Sequence, residues 1–183
     1  MRSVMTQYDP MGLAVVEPNH QVNLYSSNQP YAHIEQAKNM EQIVQNYISS
    51  EEGQKLLAYF QSKNRKIMKI KGVGAGDLGE NTVAALLHND LEGVILANYN
   101  GKTFESRVGE MAQKYGVDSQ SATEYVLAHE LAHAAGYKTE LEVESFLNNY
   151  FQTQAFQSQG EKREKYVQLA GLAAQRIKEI KKN

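Results

Sequence analysis

The stretch Val126 to Gly136 reads V-L-A-H-E-L-A-H-A-A-G. Two histidines four apart, with a glutamate directly after the first, constrain this chain more than any other feature. Four residues advance an α-helix by just over one turn, so His129 and His133 return to one face and can offer two imidazole nitrogens to one zinc ion. Glu130 stands beside them, where it can activate a water. The surroundings ask for a helix. Ser121 with Glu124 reads as a capping box, residues Ala122 to Ala135 include no proline or glycine, and Gly136 is placed as the C-terminal cap. The neighbours Val126, Leu127, Ala128, Leu131, Ala132, Ala134 and Ala135 are apolar, which makes this a mostly buried helix whose imidazoles and carboxylate need partners. With five histidines in 183 residues, such a pattern arises by chance in about one chain of this kind in a hundred, which favours a functional reading.

The chain is long enough, and at 42% apolar residues rich enough, to bury one good core, so a single domain over 1–183 is expected. A net charge of -2 supplies no basic field for nucleic acid or an anionic membrane surface. There are no cysteines, so any metal must be held by histidine and carboxylate. No stretch approaches a membrane span, and Asp9 and Glu17 stand where an export signal would be basic and then apolar. A cytoplasmic protein is the expectation.

Along the chain, 13–17 and 22–25 suggest short strands, followed by a loop at 26–30; residues 1–33 form a candidate N-terminal arm or propeptide. Apolar residues from Ile34 to Phe60 recur at helical spacing, with a break near Ser49 and Ser50 where a second helix could start. Lys66–Lys71 reads as a strand whose lysines mark a solvated edge, Thr82–His88 as helix or strand, and Leu91–Tyr99 as a strand closed by the Asn100-Gly101 turn. Phe104–Tyr115 reads as a helix ended by Gly116. Helices from Glu140 to about Gln157 and over 161–182 complete the chain, the last burying Tyr166, Val167, Leu169, Leu172, Ala173 and Ile177. Gly74-Ala75-Gly76-Asp77-Leu78-Gly79 fits a dinucleotide fingerprint, but Asp77 and Glu80 crowd the place of a pyrophosphate, so a flexible loop is the better reading.

A catalytic zinc generally takes three protein ligands, so one more His, Glu or Asp must converge on His129 and His133, and the candidates come just downstream. Thr139 with Glu142 reads as a second capping box, which turns Glu142 away and leaves Glu140 and Glu144 as contenders, one turn apart. In a tight helical hairpin the zinc would sit about 7 Å above the turn, matching Glu144. If the chain doubles back sharply at Gly136, Glu140 reaches the metal and Glu144 can hydrogen-bond a ligand histidine.

From about Ser121 to Phe151 the chain resembles the zincin metallopeptidases, and within them the glutamate-ligand group, or gluzincins, particularly its small members called minigluzincins. In that group a helix after the motif supplies a glutamate ligand, followed three residues later by a small residue and four later by Asp or Asn. Glu140, Val143 and Glu144 fall at those places, which favours Glu140 narrowly. Valine is larger than the usual residue, Glu replaces Asp or Asn, and the separation of His133 from Glu140 is short for the group, so Glu144 stays open. The glycine three after the second histidine is also found in metzincins, but the position of their next ligand is Thr139 here, a poor zinc ligand.

The resemblance implies an α+β, zincin-like fold, a small mixed sheet packed against the motif helix and further helices. It also implies a zinc-dependent endopeptidase acting on a peptide or protein substrate, with Glu130 passing the water's proton to the leaving amine. A Tyr or His usually steadies the oxyanion, and Tyr137, just past the helix, is nominated among eleven tyrosines. The resemblance further makes Leu91–Tyr99 the rim on which an extended substrate is laid. Either chain end could cover the cleft and make the enzyme latent. The alternative is a zinc-stabilised structural or interaction protein, closed by a fourth ligand from His20, His33 or His88.

Overall fold

Residues 30–89 and 91–183 are described in the computed structural model. The strands expected within 1–29, most of the candidate arm, and His20 lie outside the described residues. The rest is α+β. Two helices, α1 (Pro30–Ser49) and α2 (Glu51–Ser62), precede a three-stranded sheet of β1 (Lys69–Gly76), β2 (Ala84–His88) and β3 (Glu92–Asn98). Four helices follow: α3 (Phe104–Tyr115), α4 (Ser119–Ala134), α5 (Glu140–Phe156) and α6 (Gly160–Lys182).

The break between α1 and α2 lies where the serine pair placed it. Ser50 caps α2, its hydroxyl accepting from the Gly53 amide at 3.1 Å. Pro30, assigned from sequence to a loop, instead opens α1, where a fixed φ and a missing N–H cost nothing. Helix α3 covers the expected residues and is ended by Gly116 at φ 70°, while Thr103 caps its start.

The sheet order is β1-β3-β2, with β1 parallel and β2 antiparallel to β3. This corrects the reading of 91–99 as a rim. Strand β3 is central, hydrogen-bonded on both sides, and β2 forms the edge next to it. A continuous apolar run, Val94-Ile95-Leu96-Ala97, fits a strand buried on both faces; strand order, set by contacts far apart in sequence, leaves no local mark. The motif helix α4 packs against β2, and α1 lies along β1 and β3. The glycine segment is β1 itself running into a pinned turn. Buried Asn98 donates to the Gly79 and Thr82 carbonyls, each at 2.6 Å, and accepts from the Leu78 amide at 2.8 Å. The chain continues into β2, so the strand-loop-helix unit of a dinucleotide site does not follow.

Aromatic rings tie the helices together. Phe60 of α2 stacks on Phe146 of α5, Tyr125 of α4 on Phe151 of α5, and Phe151 in turn on Tyr166 of α6. Helix α6 buries Tyr166, Leu169, Leu172 and Ala173 as expected, but Val167, which the sequence placed on that stripe, is 56% exposed.

Candidate metal centre

Helix α4 begins one turn earlier than the serine-glutamate pair suggested. Asp118 is the cap, accepting from the Ser121 amide at 2.8 Å and from the Ser121 hydroxyl at 2.9 Å. Glu124 serves elsewhere: it is buried and pairs with Lys165 of α6 at 2.8 Å, burial pushing its carboxyl up against the pull of that ammonium. At the other end Gly136 takes φ 94°. The Gly136 amide reaches the His133 carbonyl and the Tyr137 amide the Ala132 carbonyl, a double closure that turns the chain sharply. Two residues later Thr139 and Glu142 form the expected capping box, and α5 starts almost beneath the last turn of α4.

That reversal brings Glu140 to the histidines. Its Oε2 lies 3.2 Å from His129 Nε2 and 3.1 Å from His133 Nε2. Among the described residues, His129, His133 and Glu140 form a group whose ligand atoms all lie within 4.8 Å of one another, a possible metal site. His129 is fully buried, and His133 and Glu140 nearly so. Glu144 meets the opposite edge of the same ring, its Oε2 lying 2.9 Å from His129 Nδ1.

The other nitrogen of each imidazole decides the chemistry. Glu144 accepts from Tyr125 Oη and, at 2.8 Å, from Arg176 Nε. Burial pushes the Glu144 carboxyl up, but the His129 hydrogen bond and charge, the Arg176 charge and the Tyr125 hydroxyl outweigh it and hold it below the usual carboxylate range. An ionised carboxylate only accepts, so this contact favours a proton on His129 Nδ1. His133 Nδ1 lies 2.9 Å from the Tyr137 carbonyl, another obligate acceptor, which places its proton there too. In the neutral imidazoles both Nε2 lone pairs therefore face the same carboxylate oxygen. Three acceptors with no donor among them repel one another, and a positive charge at their centre reconciles them, supplied by further protons on the rings or by a metal ion. At zinc bonds of about 2.0–2.1 Å, two corners of a tetrahedron are about 3.3 Å apart, close to the separations found. The donor set fits a divalent metal, with carbonyl and carboxylate partners behind each histidine.

Glu130 is fully buried, next in sequence to His129. Tyr137 lies just past the end of α4. Its ring packs against Phe60 and Phe146 and under the Arg65 guanidinium, 4.1 Å from the ring centre, and what it brings to the histidines is its carbonyl oxygen. His88 closes β2, its Nδ1 3.1 Å from the Asn89 carbonyl, and His33 lies in α1.

Two residues of this network escaped the sequence reading. Arg176 falls on the buried stripe of α6, three residues after Ala173, and Tyr125 lies one helical turn before His129; a polar group on an apolar stripe is a signal for a buried partner. No protein-family model, no curated protein and no solved structure matches this chain.

Proposed function

We propose that this protein is a zinc-dependent peptidase whose metal is held by His129 Nε2, His133 Nε2 and Glu140 Oε2. The observation that carries the reading is the convergence of one atom each from His129, His133 and Glu140, with Glu144 and the Tyr137 carbonyl against the far nitrogens of the two rings. A zinc ion there would lower the pKa of a water and polarise a scissile carbonyl. Glu130 would accept that water's proton on its carboxylate and deliver it to the leaving amine. Glu144 and the Tyr137 carbonyl keep the imidazoles oriented.

The test is a pair of variants. Glu130→Gln is expected to keep its zinc and lose hydrolysis of an unfolded protein substrate, because the residue acts on the water. His129→Ala is expected to lose both. Turnover retained by Glu130→Gln would remove that residue from the mechanism. Hydrolysis absent from the native chain at full zinc loading would favour a metal-stabilised interaction protein. Latency enters the same assay: if residues 1–29 restrain the site, removing them raises the rate without changing the zinc content.

A further inference from the structure

We propose that Arg176 of α6 is a positioning residue that determines how Glu140 presents itself to the metal, an inference that rests on the metal-binding reading above. Its guanidinium spans two of the three glutamates of α5, Glu140 and Glu144. Nε donates to Glu144 Oε2 at 2.8 Å and Nη2 to Glu140 Oε1 at 3.3 Å. Glu140 is thereby divided: Oε1 belongs to the arginine, and Oε2 faces the two imidazoles. A carboxylate engaged on one oxygen is a one-oxygen ligand, and that leaves room around the metal for water and substrate.

The guanidinium also closes a chain of contacts running from Tyr125 Oη to Glu144, on to His129 Nδ1 and Arg176, and from Arg176 to Glu140. Two carboxylates, one fully buried and one nearly so, would repel each other without a cation between them. A planar fork with several donors in fixed directions suits two acceptors at once; an ammonium at the end of a flexible stem does not. Arg176 is itself nearly buried, at 12% side-chain exposure, so its geometry is held by packing.

Cobalt(II) in place of zinc gives a readout independent of turnover, because its visible bands are strong in four-coordinate sites and weaken when a fifth ligand is added. The full-length chain and its Arg176→Lys and Arg176→Gln variants would be loaded with Co(II), and affinity measured by chelator competition. Native protein is expected to show the intense four-coordinate spectrum. In Arg176→Lys the freed Oε1 is expected to join the metal, weakening the bands, with affinity reduced about 10–100-fold; Arg176→Gln is expected to go further. Arg176→Lys keeps the charge and the buried stem, which makes it the deciding variant. A spectrum and affinity matching the native protein would overturn the proposal, as would failure of metal-free Arg176→Lys to fold, which would make the residue structural. If the native chain binds no Co(II), the metal reading itself fails, an outcome distinct from unchanged spectra.

Discussion

Glu140 and Glu144 stand one turn apart on the same helix, yet they meet opposite edges of one imidazole, so similar substitutions should have different consequences. Glu140→Gln keeps the shape but removes the charge next to both Nε2 atoms, and zinc is expected to be lost on dialysis. Glu144→Gln leaves the three ligand atoms in place but weakens the support of His129, so zinc is expected to remain with affinity lowered about 10–100-fold. Metal analysis with a competing chelator separates the two, and equal losses would show that ligand and support cannot be told apart. The sequence leaves both glutamates in contention, because the choice depends on how sharply the chain turns. The three-residue turn from Gly136 to Lys138 settles their placement: Glu140 starts α5 beneath the histidines, and the next turn carries Glu144 behind them.

Helix ends are the most legible elements. Ser50, Gly116, Gly136 and Thr139 with Glu142 all sit where capping chemistry places them. The start of α4 is less legible because Asp118 and Ser121 both satisfy the rule for a cap, and nothing in Ser119-Gln120 stops the helix from taking the earlier one. Asp118→Ala is expected to cost about 1 kcal/mol. Hydrogen bonds from the Ser121 amide and hydroxyl outweigh partial burial and hold the Asp118 carboxyl below its ordinary value of 3.8. With the folded value depressed, the stabilisation is fully present above about pH 4 and lost as pH falls through the folded value. Melting curves of the two proteins should therefore converge in acid; a constant gap would argue against the charged cap. The crossing of α1 and α2 offers a second check. A Cβ on Gly53 would stand 1.9 Å from the Tyr47 carbonyl oxygen, a backbone atom, so Gly53→Ala is expected to destabilise by about 3 kcal/mol rather than stabilise as alanine usually does in a helix.

At the scale of the molecule, the last helix belongs to both the core and the site. Tyr166, Leu169, Leu172 and Ala173 are buried against the other helices; each leucine alone is worth about 1.5–3 kcal/mol, a large share of the stability of a domain. A chain ending at Gly160 is expected to unfold rather than gain activity; a folded, zinc-loaded truncation would contradict this. The apolar stripe is legible in the sequence, but the tie from Arg176 to α5 is not, since it joins residues 36 and 32 positions apart. Likewise the strands can be found from their composition while their order cannot. Among the described residues no helix is long and apolar enough to cross a membrane. Whether two helices converge three acceptor atoms on one metal ion is read from anomalous scattering at the zinc edge of crystals of the full-length protein. One zinc peak per chain is expected, bonded to His129 Nε2, His133 Nε2 and Glu140 Oε2, with Glu144 outside bonding distance. A zinc bonded to Glu144, or a fully zinc-loaded protein with no peak between these three atoms, would contradict it.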